Sequence, residues 1–140
     1  MSRIFWDTNL FIYLLEDAGE LSKRVVALRE RMLERGDRLL TSALTLGEIL
    51  VKPVEAKRDD LRTSYERALR SAAHIVPFEE SAATLYAHIR GDRSIRPPDA
   101  IQLACAAHGG VDLFVTNDER LSRKVVQGIS FITSLARAPL

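Results

Sequence analysis

Short apolar segments that stop abruptly at polar residues, each followed by a helical pattern, constrain this chain more than any other feature. "IFW" (Ile4 to Trp6) ends at Asp7, and "RLLTS" (Arg38 to Ser42), "HIVPF" (His74 to Phe78) and "VDLFVTND" (Val111 to Asp118) repeat the arrangement. "ISFITS" (Ile129 to Ser134) supplies a last such segment. Brief continuous apolar runs bounded by turn signals suit strands buried on both faces. Between them lie helical patterns. "TNLFIYLLE" suits a short helix, and Leu21, Val25, Leu28 and Met32 line one face of a longer one that Gly36 is placed to end. "LTLGEILVKP" reads as a helix closed by Pro53, and Leu61, Tyr65, Leu69 and Ala72 share a face of the next. "ESAATLYAHIRG" is a helix capped by Gly91, and "ERLSRKVV" a short one. Strands alternating with helices predict an α/β fold: a three-layer α/β/α sandwich around a parallel sheet of four to five strands, with residues 1–140 as a single domain.

Composition removes several alternatives. With 46% hydrophobic and 28% charged residues, the chain has a globular balance rather than a disordered or membrane one. The apolar run "LFIYLL" (Leu10 to Leu15) is far short of the roughly 20 residues that span a bilayer. No basic leader precedes it, so no signal peptide is expected. Cys105 is the only cysteine, which excludes an internal disulfide and fits a reducing cytoplasm. Net charge is only +1, so overall charge does not announce a nucleic-acid partner, and local charge must be read instead.

The segment "RSIRPPDAIQLACAAHGG" (Arg93 to Gly110) places a carboxylate, Asp99, at the head of a helix that is apolar nearly all round. Pro98 suits an early helical position, and Gly109 and Gly110 stop the helix. A buried helix is rigid, and rigidity at its first turn holds Asp99 in place. In open parallel sheets, ligands bind beyond the carboxyl ends of the strands, where the following helices begin. Asp7 ends the first strand, Glu48 lies in the first turns after the second, and Asp118 follows the fourth, so with Asp99 all occupy one rim.

Each acid also has a purely structural explanation. Asp7 suits a helix cap, Thr45-x-x-Glu48 and Thr116-x-x-Glu119 match capping boxes, and Asp99 complements a helix dipole. Independent caps would use serine, threonine or asparagine equally well, yet a carboxylate stands at every one of these junctions. Crowded carboxylates raise one another's pKa unless a cation neutralises them. Hard oxygen ligands without paired cysteines or histidines select Mg²⁺ or Mn²⁺ rather than zinc.

"FWDTNLFIYLL", "TSALTLGEIL", "PPDAIQLACA" and "DLFVTND", in this order and at these intervals, resemble the acidic motifs of PIN-domain ribonucleases, most closely the VapC-type toxins of toxin–antitoxin pairs. The resemblance implies a metal-dependent endoribonuclease in which Asp7, Glu48, Asp99 and Asp118 form the acidic quartet that binds Mg²⁺ or Mn²⁺ and activates water. Asp7 and Asp99 would hold the principal ion, with Glu48 and Asp118 completing a second site or orienting the water. Asn9 and Thr116 match the polar positions that support the quartet. The family also implies an RNA substrate, a cognate antitoxin and a homodimer. For the homodimer, the apolar surplus of Leu46, Ile49, Leu50 and Val51 on the third helix offers either an interface or core packing.

Arg90, Arg93 and Arg96 lead into the Asp99 helix and are the candidate RNA-binding residues, with a solvated loop as the alternative. Cys105-x-x-His108 is only half of a zinc spacing, so Cys105 reads as a buried apolar residue and His108 as a partner for its helix C-terminus. Tyr13, Tyr65 and Tyr86 read as core rather than base-stacking platforms. A haloacid-dehalogenase-type phosphotransferase also carries an aspartate after its first strand, but its second aspartate, two residues on, is Asn9 here. A non-catalytic module of the same fold that binds RNA or protein is the other alternative.

Overall fold

The computed structural model describes residues 1–139. Among them, β1 (Arg3–Trp6), β2 (Arg38–Ser42), β3 (His74–Val76), β4 (Leu113–Thr116) and β5 (Phe131–Ser134) form a five-stranded sheet in the order β3-β2-β1-β4-β5. Every pairing is parallel. Parallel pairing demands crossover segments, and the helices that make them cover both faces. Alternate strand residues therefore enter different cores. Ile4, Trp6, Leu39 and Val115 pack beneath α1 (Thr8–Leu15), α2 (Glu20–Arg35), α3 (Ala43–Glu55) and α4 (Asp59–Ala72). Phe5, Leu40 and Phe114 pack with α5 (Glu80–Ile89), α6 (Pro97–His108) and the single-turn α7 (Glu119–Ser122). Phe5 and Phe114 stack with centroids 5.1 Å apart, fastening β1 to β4 from one side, while Trp6 meets Phe11 of α1 on the other.

Helix α6 is buried along most of its length because it lies on this sheet beside α5, and its alanines at 100, 104 and 106 are fully enclosed. Pro97 and Pro98 open it, where the missing N–H groups cost nothing. Several boundaries differ from the sequence reading. Helix α3 is not closed by Pro53 but continues to Glu55, because proline in the last turn forfeits only the bond to the Ile49 carbonyl. Strand β3 stops at Val76, since Pro77 has no N–H to give the ladder. Gly91 does not cap α5, which ends at Ile89 with Arg90 donating to the Tyr86 carbonyl. Gly36, by contrast, ends α2 in the left-handed conformation (φ 73°) that glycine adopts without strain. The "ERLSRKVV" segment makes only the short α7 before turning toward β5. No helix among the described residues is long and apolar enough to cross a membrane.

This packing separates interior from surface along adjoining stretches. Leu103→Ala, at a fully buried position, is expected to lower unfolding free energy in urea by about 2–5 kcal/mol. Val125→Ala, at a side chain 94% exposed, is expected to change it by less than about 0.5 kcal/mol.

Candidate active site

From β1 the strand order runs outward to β2 and β3 and then returns to β4 on the opposite side. The switch point of the sheet therefore lies between the carboxyl ends of β1 and β4. Asp7 and Thr116 stand there. The Asp7 N–H donates to the Val115 carbonyl at 3.0 Å, extending the β1–β4 pairing by one residue. Its side chain then takes two roles. Oδ1 caps α1 by accepting from the Thr8 N–H at 2.8 Å, and Oδ2 accepts from the Thr116 hydroxyl at 2.9 Å. Burial pushes the Asp7 carboxyl up to about 6; the Thr116 and Thr8 hydrogen bonds oppose the rise, and the nearby charges of Asp99 and Glu48 add to it.

Asp99 occupies the first turn of α6 and lines the same cavity, with no hydrogen-bond donor on its carboxylate among the described residues. Burial raises its pKa above the ordinary range and the charge of Asp118 raises it further; Arg96 and Arg120 counteract, and Glu48 adds to the rise. Glu48 does not belong to a capping box. The cap of α3 is Ser42, whose hydroxyl accepts from the Thr45 N–H, and Glu48 Oε1 instead accepts from the Thr8 hydroxyl at 2.7 Å. Asp118, not Thr116, caps α7, accepting from the Arg120 and Leu121 N–H groups at 2.9 and 3.2 Å. The Thr116 hydroxyl bridges the two aspartates, donating to Asp7 while accepting from the Asp118 N–H at 3.1 Å.

Asp7, Glu48 and Asp99 line one cavity of about 410 Å³, and Asp118, outside that lining, acts on Asp99 through its charge. Asn9 lines the same cavity. No three acidic, histidine or cysteine side chains among the described residues close around one point in this arrangement. The donor set nevertheless has the chemistry that a hard divalent cation takes: Asp7, Glu48 and Asp99 offer carboxylate oxygens to one cavity, and Asp99 accepts no hydrogen bond among the described residues.

Of the arginines, Arg90 is engaged, donating through Nη1 to the Ile95 carbonyl at 2.6 Å and so bracing the loop before α6. Arg93 is exposed, and Arg96 sits at the N-terminus of α6 close enough to influence Asp99. Lys52, one turn beyond Glu48, also lines the cavity and was not among the residues singled out from the sequence. Cys105 is buried, its thiol pushed up to about 11 by burial, and it forms no part of the cavity. His108 stands in the last turn of α6 and pairs with the Ser81 hydroxyl at 3.4 Å. The Tyr13 hydroxyl accepts from Asn117 Nδ2 at 2.9 Å.

A second layer of polar residues also escaped the sequence reading. Ser42, Thr45, Thr8 and Gln102 are all buried and hydrogen-bonded to one another behind Glu48. Their one legible signal is Gln102, an amide in the otherwise apolar "AIQLACAA".

Residues 4–126 match the family model of the PIN domain. The chain belongs to the PIN domain family. Ribonuclease VapC23 of Mycobacterium tuberculosis is 32% identical over 123 residues, covering 85% of this chain and 95% of that protein. Two solved structures share the fold. VapBC2 from Rickettsia felis, bound to a DNA fragment from its promoter, superposes with a TM-score of 0.74 at 15% identity, covering 94% of this PIN domain and 98% of that chain. A toxin–antitoxin complex from Klebsiella pneumoniae gives 0.66 at 21% identity, covering 90% and 94%.

A PIN-domain carboxylate buried at this cost sets a measurable pH dependence. The folded Asp7 carboxyl, at about 6, holds its proton more tightly than an unfolded one at 3.8, so its burial is tolerated below the lower value and opposes folding increasingly as pH rises to the higher. In metal-free buffer, Asp7→Asn is expected to raise unfolding free energy at pH 7 by on the order of 2–3 kcal/mol. That gain should vanish near pH 4, as read from urea melts at both pH values.

Proposed function

We propose that this PIN-domain protein is an endoribonuclease that hydrolyses RNA phosphodiester bonds with Mg²⁺ or Mn²⁺, and that it is the toxin of a toxin–antitoxin pair. The observation that carries the reading is the burial of Asp7 beside Asp99 and Glu48, an arrangement that opposes folding without a cation and acquires a use with one. A bound divalent ion would supply the means to make water nucleophilic at neutral pH and to stabilise the charge on the departing oxygen.

In this proposal Asp7 and Asp99 hold the principal ion, and Glu48 and Asp118 complete the site or orient the attacking water. Thr116 fixes the Asp7 carboxylate by its hydrogen bond to Oδ2, leaving Oδ1 turned to the helix N-terminus. Asn9 contributes a polar side chain to the cavity wall. Arg93 and Arg96, with Arg90 bracing their loop, offer positive charge to the RNA backbone, and Lys52, which lines the cavity and pairs with Glu16 at 3.4 Å, adds to it.

The assignment of toxin rests on likeness to VapC23 and to the fold of solved toxin–antitoxin complexes. A cognate antitoxin and a second copy of the chain are the partners it implies. Leu46, Ile49 and Leu50 are used by the core, whereas Val51 and Val54 of α3 remain 49% and 57% exposed and are available to such a contact.

Asp99→Asn tests the reading, because it removes charge without removing volume. With Mn²⁺ or Mg²⁺ and a mixed RNA substrate, cleavage is expected to fall by about 100-fold or more, the scale on which losing one charge-stabilising group reduces turnover. EDTA should abolish the parent's cleavage. Cleavage that survives both changes would contradict the assignment, and RNA binding indifferent to both would indicate a non-catalytic module.

A further inference from the structure

The buried amide of Gln102 has no place in the chemistry proposed above, yet it organises every polar group behind Glu48. It is 2% exposed, in the middle of a helix whose neighbouring positions are apolar, where leucine or methionine would pack without needing a partner. Its bonds are fully assigned by donor and acceptor chemistry. The Ser42 hydroxyl donates to the amide oxygen, which has no proton to give. Both amide protons are then donated, to the Thr8 hydroxyl at 2.8 Å and the Thr45 hydroxyl at 2.9 Å. Thr8 gives its own proton to Glu48 Oε1 at 2.7 Å, so across the 3.0 Å separation Thr45 is the donor and Thr8 the acceptor. Each proton has one destination, and the chain of bonds ends on a carboxylate.

The positions of these residues along the chain matter as much as the bonds. Thr8 follows Asp7 directly, Thr45 precedes Glu48 by one turn of α3, and Gln102 follows Asp99 by one turn of α6. A single amide thus ties together the segments that carry three of the proposed ligands. Apolar packing would hold these helices together with little sense of direction. Hydrogen bonds fix both their separation and the angle of the Glu48 carboxylate.

We propose that Gln102 is a positioning residue that, acting through Thr8, sets the orientation of Glu48 and its spacing from Asp7 and Asp99 for a divalent cation. The inference rests on the metal-dependent reading of the site, and Mn²⁺ binding by the metal-free full-length protein, followed calorimetrically, tests the two separately. Thr8→Val and Gln102→Met, close in volume but without the hydrogen-bonding groups, are expected to weaken Mn²⁺ binding about tenfold, within the range that groups supporting metal ligands command. Thr8→Ser restores the hydroxyl and is expected to bind within about twofold of the parent. Circular dichroism confirms which variants are folded; should Gln102→Met fail to fold, the contrast between Thr8→Val and Thr8→Ser decides. Equal binding by Thr8→Val and the parent would overturn the positioning role while leaving the metal site standing. Absence of Mn²⁺ binding by the parent would overturn the metal reading and the positioning role with it.

Discussion

Parallel pairing of β1 with β2 on one side and β4 on the other is the constraint on which the rest of this structure depends. It makes β1 central and buries Ile4, Phe5 and Trp6 completely, so the chain must leave the sheet at residue 7. The order of strands reverses around β1, and at such a switch point an open parallel sheet forms a cleft beyond the carboxyl ends of its strands. Asp7 follows β1 at this edge, and Thr116 and Asp118 stand at and just beyond the end of β4. Helix α6, rigid because it is buried, brings Asp99 to the same edge, and α3 brings Glu48. Residues far apart in the chain become neighbours through backbone pairing, apolar packing and the buried hydrogen bonds of Gln102, before any charge is considered.

Charge then opposes what packing imposes. Asp7 is desolvated and repelled by Asp99 and Glu48; Asp99 is desolvated and repelled by Asp118 and Glu48. The structure offsets part of this locally. Asp7 and Asp118 are both helix caps, and Thr116 bonds to one and receives from the backbone of the other. Capping and cation binding are nevertheless compatible uses of the same side chains, because a carboxylate oxygen that accepts one hydrogen bond keeps a further lone pair. Asp99 accepts no hydrogen bond among the described residues, and the charges of Arg96 and Arg120 are what offset its rise.

The parallel sheet is legible in the sequence because strands buried on both faces and amphipathic helices have distinct patterns; Asp7 and Asp118 stand at strand–helix junctions and Asp99 in the first turn of α6, whereas Glu48 lies in the second turn of α3. What was not legible has physical reasons. Pro53 lies in the last turn of α3, where proline removes one bond rather than ending the helix. Glu48 sits three residues after a threonine, a spacing that mimics a capping box, but the helix begins earlier at the Ser42 cap. The polar residues behind Glu48 were missed because serine and threonine near a helix start look like ordinary caps, and only the fold shows that Ser42, Thr45 and Thr8 meet at one amide. Charge alone groups Arg90 with Arg93 and Arg96, whereas its guanidinium is turned back to the Ile95 carbonyl.

The central claim is that these acids make one binding place for a divalent ion. Paramagnetic broadening by substoichiometric Mn²⁺ tests it directly, because an unpaired electron erases nearby amide signals without reference to activity. Signals from Asp7 to Asn9, Glu48, Asp99 and Ala100, and Asp118 are predicted to disappear first and together. Loss of signals scattered over exposed acidic residues such as Glu20, Glu34 and Glu55, with the cleft untouched, would contradict the account.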